Sequence, residues 1–240
     1  MKTLSVAARV LEQLRRDPRT LALIVGVPCL LMWLLRELFQ GGPVFQRAGP
    51  PLLGLFPFVT MFLVTSITML RERVSGTLER LMTMPLAKLD LLAGYGLAFG
   101  ALAAVQASVV SVVAFELLDL NVAGPTVVVV LLAVANAVLG SALGLFVSAF
   151  AQTEFQAVQF MPAFVLPQIL LCGLFVGRGS MATWLRWVSD ALPLTYAYDA
   201  LAHTASNTLG TRFAVDVVVV CGSILLSLAL GAATLRRRTP

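Results

Sequence analysis

"LNVAGPTVVVVLLAVANAVLGSALGLFVSAFAQT", Leu120–Thr153, contains no Asp, Glu, Lys or Arg. A helix crosses the hydrocarbon core of a bilayer with roughly 20 apolar residues at about 1.5 Å rise each. This stretch therefore holds a full span, beginning near Pro125 after a short loop. The composition of the whole chain agrees: 59% of residues are hydrophobic and 12% charged, where ordinary globular chains carry about 25% charged residues. With a mean hydropathy of +0.92, too little polar surface exists to face water. The chain reads as a membrane protein.

Working outward, further uncharged runs lie at Ala48–Leu70, Leu91–Phe115, Phe155–Gly177 and Val217–Leu235, with a shorter one at Thr20–Leu35 closed by Arg36 and Glu37. These predict an all-α polytopic membrane protein with six transmembrane helices, a single transmembrane domain over residues 1–240. The formal charge of +5 would suggest nucleic acid in a soluble protein, but here position is what counts, because basic residues gather on the cytoplasmic side. Twelve of the 17 Lys and Arg residues fall on one side of a six-span layout: Lys2, Arg9, Arg15, Arg16, Arg19, Arg71, Arg73, Arg80, Lys88, Arg236, Arg237 and Arg238. The expectation is a multi-pass protein of the plasma (inner) membrane with both termini cytoplasmic, in contact with lipid and not with nucleic acid. The third inner loop, near Ala151–Gln159, has no Lys or Arg and adds nothing to that orientation. Because the first apolar run begins only near Thr20, no cleavable signal peptide is expected.

Smaller features follow the same physics. Leu4, Ala8, Leu11 and Leu14 or Arg15 recur at helical spacing, so residues 1–18 predict a cytoplasmic amphipathic helix on the membrane surface, ended by Asp17-Pro18; contact with a soluble partner is the alternative. Gly96/Gly100, Gly140/Gly144 and Gly173/Gly177 are small-xxx-small pairs that let helix backbones approach. Asn136, mid-span, predicts an interhelical hydrogen bond. Cys29, Cys172 and Cys221 are isolated and read as small packing residues. Gln152, Gln156 and Gln159 make a polar stripe, either a solvated helix end or a wetted entrance. Pro162 and Pro167 predict a kinked backbone where Phe160, Met161, Phe164 and Gln168 project. Residues 177–213 form an extracytoplasmic segment too polar to span. Trp184, Trp187, Tyr196 and Tyr198 suit an interface, and Pro193 divides the segment into two short helices, re-entrant or lying flat.

Several chemistries are absent from the sequence. Only Lys2 and Lys88 are lysines and neither follows a glycine, so there is no phosphate loop. The single histidine, His203, rules out HExxH and most zinc sites, and there is no GxSxG elbow. No catalytic and no metal-binding residue is assigned, and the chain is not expected to be an enzyme.

The charged island "MLRERVSGTLERLMTMPLAKLD", Met69–Asp90, is the other informative stretch. Gly76 permits a turn, and Pro85 disfavours helix at Met84. Between them Leu78, Leu81 and Met82 share one face of at most two turns, which are marginal alone in water. Ser75 completes no capping box, and Glu79 has Thr83 rather than a base at i+4, leaving its carboxylate free for a partner. Either the face dips into lipid or it plugs a groove on a cytoplasmic protein. The run Arg71-Glu72-Arg73-Val74-Ser75-Gly76-Thr77-Leu78-Glu79-Arg80-Leu81, then Met84-Pro85-Leu86, resembles the segment after the second span of type-2 ATP-binding-cassette exporter permeases. Leu192-Pro193-Leu194-Thr195-Tyr196 with Asp199-Ala200-Leu201 resembles the motif before their last span; Ala202 stands where many relatives have a basic residue.

The resemblance implies a drug-efflux-like permease subunit that pairs with a second permease, identical or homologous, and with two cytoplasmic ATPase subunits. Those partners would bind ATP and Mg; this chain would carry no cofactor. It further implies a coupling loop over residues 71–90, with Glu72, Gly76, Thr77, Leu78, Glu79, Arg80, Leu81, Met82 and Pro85 at the ATPase. Spans two and five would then line the pathway, with Phe56, Phe58, Met61, Phe62, Gln156, Gln159, Phe160, Met161, Phe164 and Gln168 as candidates, suited to a hydrophobic drug or lipid. Trp184, Trp187, Pro193 and Tyr196 would cap its outer end. A self-sufficient secondary transporter or channel is the competing class; the chain shows no obvious two-fold repeat and no buried carboxylate pair, features such proteins often use.

Overall fold

The structure is a computed structural model that describes residues 2–77 and 88–234. Its helices are α1 (Lys2–Arg15), α2 (Pro18–Leu38), α3 (Pro43–Val74), α4 (Lys88–Val112), α5 (Thr126–Val147), α6 (Glu154–Leu171), α7 (Thr183–Asp190), α8 (Pro193–Ala205) and α9 (Thr211–Thr234). Among the described residues there is no strand, and five helices are long and apolar enough to cross a membrane: α2, α3, α5, α9 and the stretch Ala93–Leu117. The chain is an all-α polytopic membrane protein. The sixth expected span corresponds to α6, which is only 18 residues long, opens on Glu154 and carries three glutamines, so it is not among the five.

Local chemistry sets the boundaries. Asp17 caps α2 by accepting from the Thr20 N–H at 3.2 Å and the Thr20 hydroxyl at 2.5 Å, with Pro18 at the first helical position. Asp17-Pro18 therefore starts α2 as well as separating it from α1. Gly42 and Pro43 open α3, which runs for 32 residues, about 48 Å at 1.5 Å per residue and longer than the hydrocarbon core. Pro125 precedes α5, as its sequence indicates. The two prolines of α6 do not end it.

The core is the crossing of α3 and α5, around which α2, α4, α8 and α9 pack. Gly140 and Gly144 make that crossing possible. A methyl on Gly140 would strike the Phe58 carbonyl oxygen, and one on Gly144 would lie 2.5 Å from that of Phe62. The other two small-xxx-small pairs behave differently. Gly100 faces open space, Gly96 touches only Leu228, and Gly173 adopts φ +105 in the turn after α6, with Gly177 in open space. Their spacing matched the motif, but among the described residues no helix backbone approaches them.

α8 is buried against α3, α5 and α9 through Leu194, Ala197, Ala200, Leu201 and Thr204. Leu201 and Asn136 both crowd Gly54 of α3, where an added methyl would lie 2.5 Å from each. The Asn136 Oδ1 accepts no hydrogen bond among the described residues, so that atom does not supply the interhelical bond expected of it. The bond that joins helices deep in the bundle comes instead from Gln106. Pro28 lacks the N–H that would bond the Ile24 carbonyl one turn earlier; Gln106 Nε2 of α4 donates to that carbonyl at 2.7 Å and to Thr60 Oγ1 of α3 at 3.0 Å. Of the cysteines, Cys172 is buried but Cys221 is exposed, so only some of the three pack as expected.

Candidate functional site

The amphipathic helix α1 carries two apolar faces. Val6, Ala7, Val10 and Leu14 are buried, while Leu4 and Leu11 remain exposed. The buried face lies on α4, where Gly94 leaves room: a methyl there would sit 2.7 Å from Val6. Of the stripe expected from the sequence, Leu4, Ala8 and Leu11 are exposed, while Leu14 belongs to the protein-facing stripe, which is offset around the helix.

That docking brings Arg9 to the end of α3. Consecutive helical residues project about 100° apart, so Arg71, Glu72 and Arg73 point in three directions, and each meets a different element. Arg71 grips Glu154 at the start of α6 with two hydrogen bonds, Nε to Oε1 at 2.7 Å and Nη2 to Oε2 at 3.1 Å. Glu72 is 8% exposed and accepts from Arg9 Nη2 at 3.4 Å. The same nitrogen donates at 2.8 Å to the hydroxyl of Tyr95, a fully buried residue of α4. Arg73 Nη1 donates at 3.2 Å to the Ser148 carbonyl, which also accepts from the Ala151 N–H in the turn that follows α5, where a cation suits the helix dipole.

Immediately beyond, Ser75 caps α3 and Gly76 turns the chain at φ +70, a conformation that favours glycine. The Ser75 hydroxyl lies 3.3 Å from the Glu72 carbonyl and 2.9 Å from the Thr77 hydroxyl. A cleft of about 420 Å³ opens beside this turn, between α1, the α1–α2 junction and α3; Val10, Leu14, Asp17, Ile67, Arg71 and Glu72 are among its walls. The Asp17 carboxyl there is held below its ordinary value, chiefly by the Thr20 hydroxyl and then the Thr20 N–H. The arrangement is one of ion pairs and hydrogen bonds. It fastens the root of the charged loop to α1, α4, α5 and α6 at once, so force applied to the loop reaches all four.

A family model described as "ABC-2 type transporter" matches residues 1–205. The chain belongs to the ABC-2 type transporter family. Curated relatives include ABC transporter G family member 20 of Dictyostelium discoideum, 26% identical over 165 residues, 69% of this chain and 23% of the relative. The probable multidrug ABC transporter permease YbhR of Escherichia coli K12 is 26% identical over 67% of this chain and 46% of its own length. The linearmycin resistance permease protein LnrN of Bacillus subtilis is 26% identical over 73% of this chain and 44% of its own. The chain thus spans less than half the length of each of these relatives.

In this ABC-2 family member, the coupling-loop candidates divide in two. Glu72, Gly76 and Thr77 form the root just described, with Glu72 turned inward to Arg9 and Tyr95 rather than outward. Leu78, Glu79, Arg80, Leu81, Met82 and Pro85 lie outside the described residues. The pathway candidates also divide. Phe58, Met61 and Phe62 are fully buried within the chain, against the α5 crossing in the case of the two phenylalanines, and are core residues rather than lining; Phe56 is half-buried. Their aromatic character looked the same in sequence because lining and core are equally apolar.

On α6, Ala157, Val165 and Gln168 are buried, while Gln156, Gln159 and Phe164 are exposed and Phe160 and Met161 half-buried. The Gln168 Nε2 donates to the Phe164 carbonyl at 3.0 Å, and Gln156 Oε1 accepts from the Gln152 N–H at 2.8 Å. Trp184 and Trp187 are both exposed on α7, Pro193 begins α8, and the Tyr196 hydroxyl donates to the Asp190 carbonyl at 2.7 Å. Sequence reading missed Arg9, Tyr95 and Gln106 as linking residues. Gln106, the lone amide inside an apolar run, was the available signal.

Proposed function

We propose that the chain is the membrane-spanning subunit of an ATP-binding-cassette exporter, coupling ATP hydrolysis in a separate subunit to efflux of a hydrophobic or amphipathic substrate. The observation that carries this reading is the root of the loop, where Arg71, Glu72 and Arg73 connect it to α6, to α1 with α4, and to α5. A segment gripped by a partner would pass its displacement directly into the bundle. Two ATPase subunits, which bind ATP and Mg, and a second permease complete the assembly, with the basic residues and both termini on the cytoplasmic side of the plasma membrane. The exposed face of α6, with Gln156 and Gln159 beside Phe164, is costly against lipid and suits a wetted pathway shared with the second permease. The names of the bacterial relatives, a probable multidrug permease and a linearmycin resistance permease, support a drug-like cargo.

The test is to purify the chain with its native ATPase and to compare Glu79→Ala and Leu81→Asp with the parent. Both variants are expected to insert normally and to lose cargo-stimulated ATP hydrolysis. Unchanged complex formation and unchanged transport in both would refute the coupling role.

A further inference from the structure

His203 is the single histidine of the chain and occupies the last turn of α8. Its Nδ1 lies 3.0 Å from Thr208 Oγ1, and that hydroxyl lies 3.2 Å from the His203 carbonyl oxygen. A hydroxyl has one proton to donate. With that proton on the carbonyl, Thr208 accepts from Nδ1–H, and neutral Nε2 is left as a bare acceptor. It faces Asp216 Oδ2 at 3.9 Å. Asp216 is 6% exposed near the start of α9, and its Oδ2 accepts no hydrogen bond among the described residues. The buried Asp216 Oδ2 is thereby left without a donor, and a proton on Nε2 turns the 3.9 Å contact into an ion pair.

We propose that His203 and Asp216 form a proton-binding site that fastens α8 to α9 when occupied. Charges of both signs surround the pair. Asp199, one helical turn before His203, adds a second negative charge, and burial raises its carboxyl above the ordinary range against the pull of Arg178. Arg178 is committed to Asp190 and, at 2.8 Å, to Asp199. Arg212 acts on Asp216 from its own helix without a hydrogen bond between them, and Arg47 of α3 acts on α8 near Tyr198. α5, also packed on α8, carries no titratable residue. Imidazoles change charge between about pH 5 and 8. The link is therefore present on the acid side and lost as the pH rises.

The experiment uses the full chain, without a histidine tag, in lipid nanodiscs. Selective ¹⁵N labelling gives one imidazole signal. Thr208→Val, at an exposed position, is expected to shift the neutral form towards Nε2–H. Amide exchange in Leu201–Asn207, corrected for intrinsic rates, is expected to slow about tenfold between pH 8 and pH 6 in the parent. His203→Gln and Asp216→Asn should abolish that change, and Arg186→Gln on α7 should keep it. A pH-dependent protection that survives His203→Gln or Asp216→Asn overturns the proposal. So does a tautomer that Thr208→Val leaves unaltered.

Discussion

A single guanidinium nitrogen, Arg9 Nη2, joins the Glu72 carboxylate at 3.4 Å to the Tyr95 hydroxyl at 2.8 Å. Three helices meet at that atom, and the carboxylate it neutralises is almost wholly buried. Arg9→Ala leaves Glu72 without its cation, and removing one member of a buried pair costs about 3–5 kcal/mol. The half-exposed arginine side chain places this site at the lower end. Thermal unfolding in nanodiscs is expected to show the loss, with Arg9→Lys recovering part of it and Glu72→Gln with Arg9→Ala costing less than Arg9→Ala alone.

Gln106 and Pro28 form a second coupled pair, because the proline frees the carbonyl that the glutamine satisfies. Gln106→Leu is expected to destabilise by about 1–3 kcal/mol, the cost of an orphaned buried acceptor. Pro28→Ala restores an N–H one turn above Ile24. In the double variant most of the Gln106→Leu cost should vanish, and a double-mutant cycle measures the interaction. Additive losses would show that the carbonyl is satisfied some other way.

The glycines separate motif from packing. Gly140→Ala is expected to cost about 1–3 kcal/mol by overpacking against the Phe58 carbonyl. Gly100→Ala, in open space mid-helix, should be neutral or stabilising by up to about 1 kcal/mol. Parallel melting curves of the two variants decide the point.

At the α1–α2 junction the Asp17 cap carries a pH dependence. Its carboxyl is lowered in the folded chain, so its contribution is complete above the ordinary carboxylate range and is lost as the pH falls through the lowered value. Proteolysis between α1 and α2 should accelerate on acidification in the parent, and Asp17→Ala should be fast at every pH.

Arg71 and Glu154 are both largely exposed, so solvent screening leaves their pair little worth to stability. Their expected importance is mechanical. Arg71→Glu or Glu154→Arg alone should leave the melting temperature nearly unchanged while lowering cargo-stimulated ATP hydrolysis by the partner, and the exchanged pair should restore it. Singles that hydrolyse normally would exclude this link from coupling.

The membrane class, the helical content and the start of α5 were legible because uncharged length and proline are local signals. The cost of burying backbone in lipid fixes them. Which face of a helix meets protein was not legible. Leu4, Ala8 and Leu11 of α1 form as good a stripe as Val6, Ala7, Val10 and Leu14, and only the presence of Gly94 on α4 selects between them. For the same reason Phe58 and Phe62 could not be told from pathway residues, since apolar character marks burial without naming the neighbour. The loop root was half legible: the Arg-Glu-Arg run stood out as charge, but the partners Arg9, Glu154 and the Ser148 carbonyl lie 63 to 83 positions away. His203 offered no partner in sequence because Asp216 sits one residue before the uncharged run that suggested the last span.

Three anchors set at different azimuths around one helix end act as keys in a shaft. Any twist of α3 about its own axis must stretch the bonds to Glu154, Arg9 or Ser148, since no rotation slackens all three. Sliding along the axis moves the three together. Torque on the last turn of α3 is therefore the motion these contacts resist.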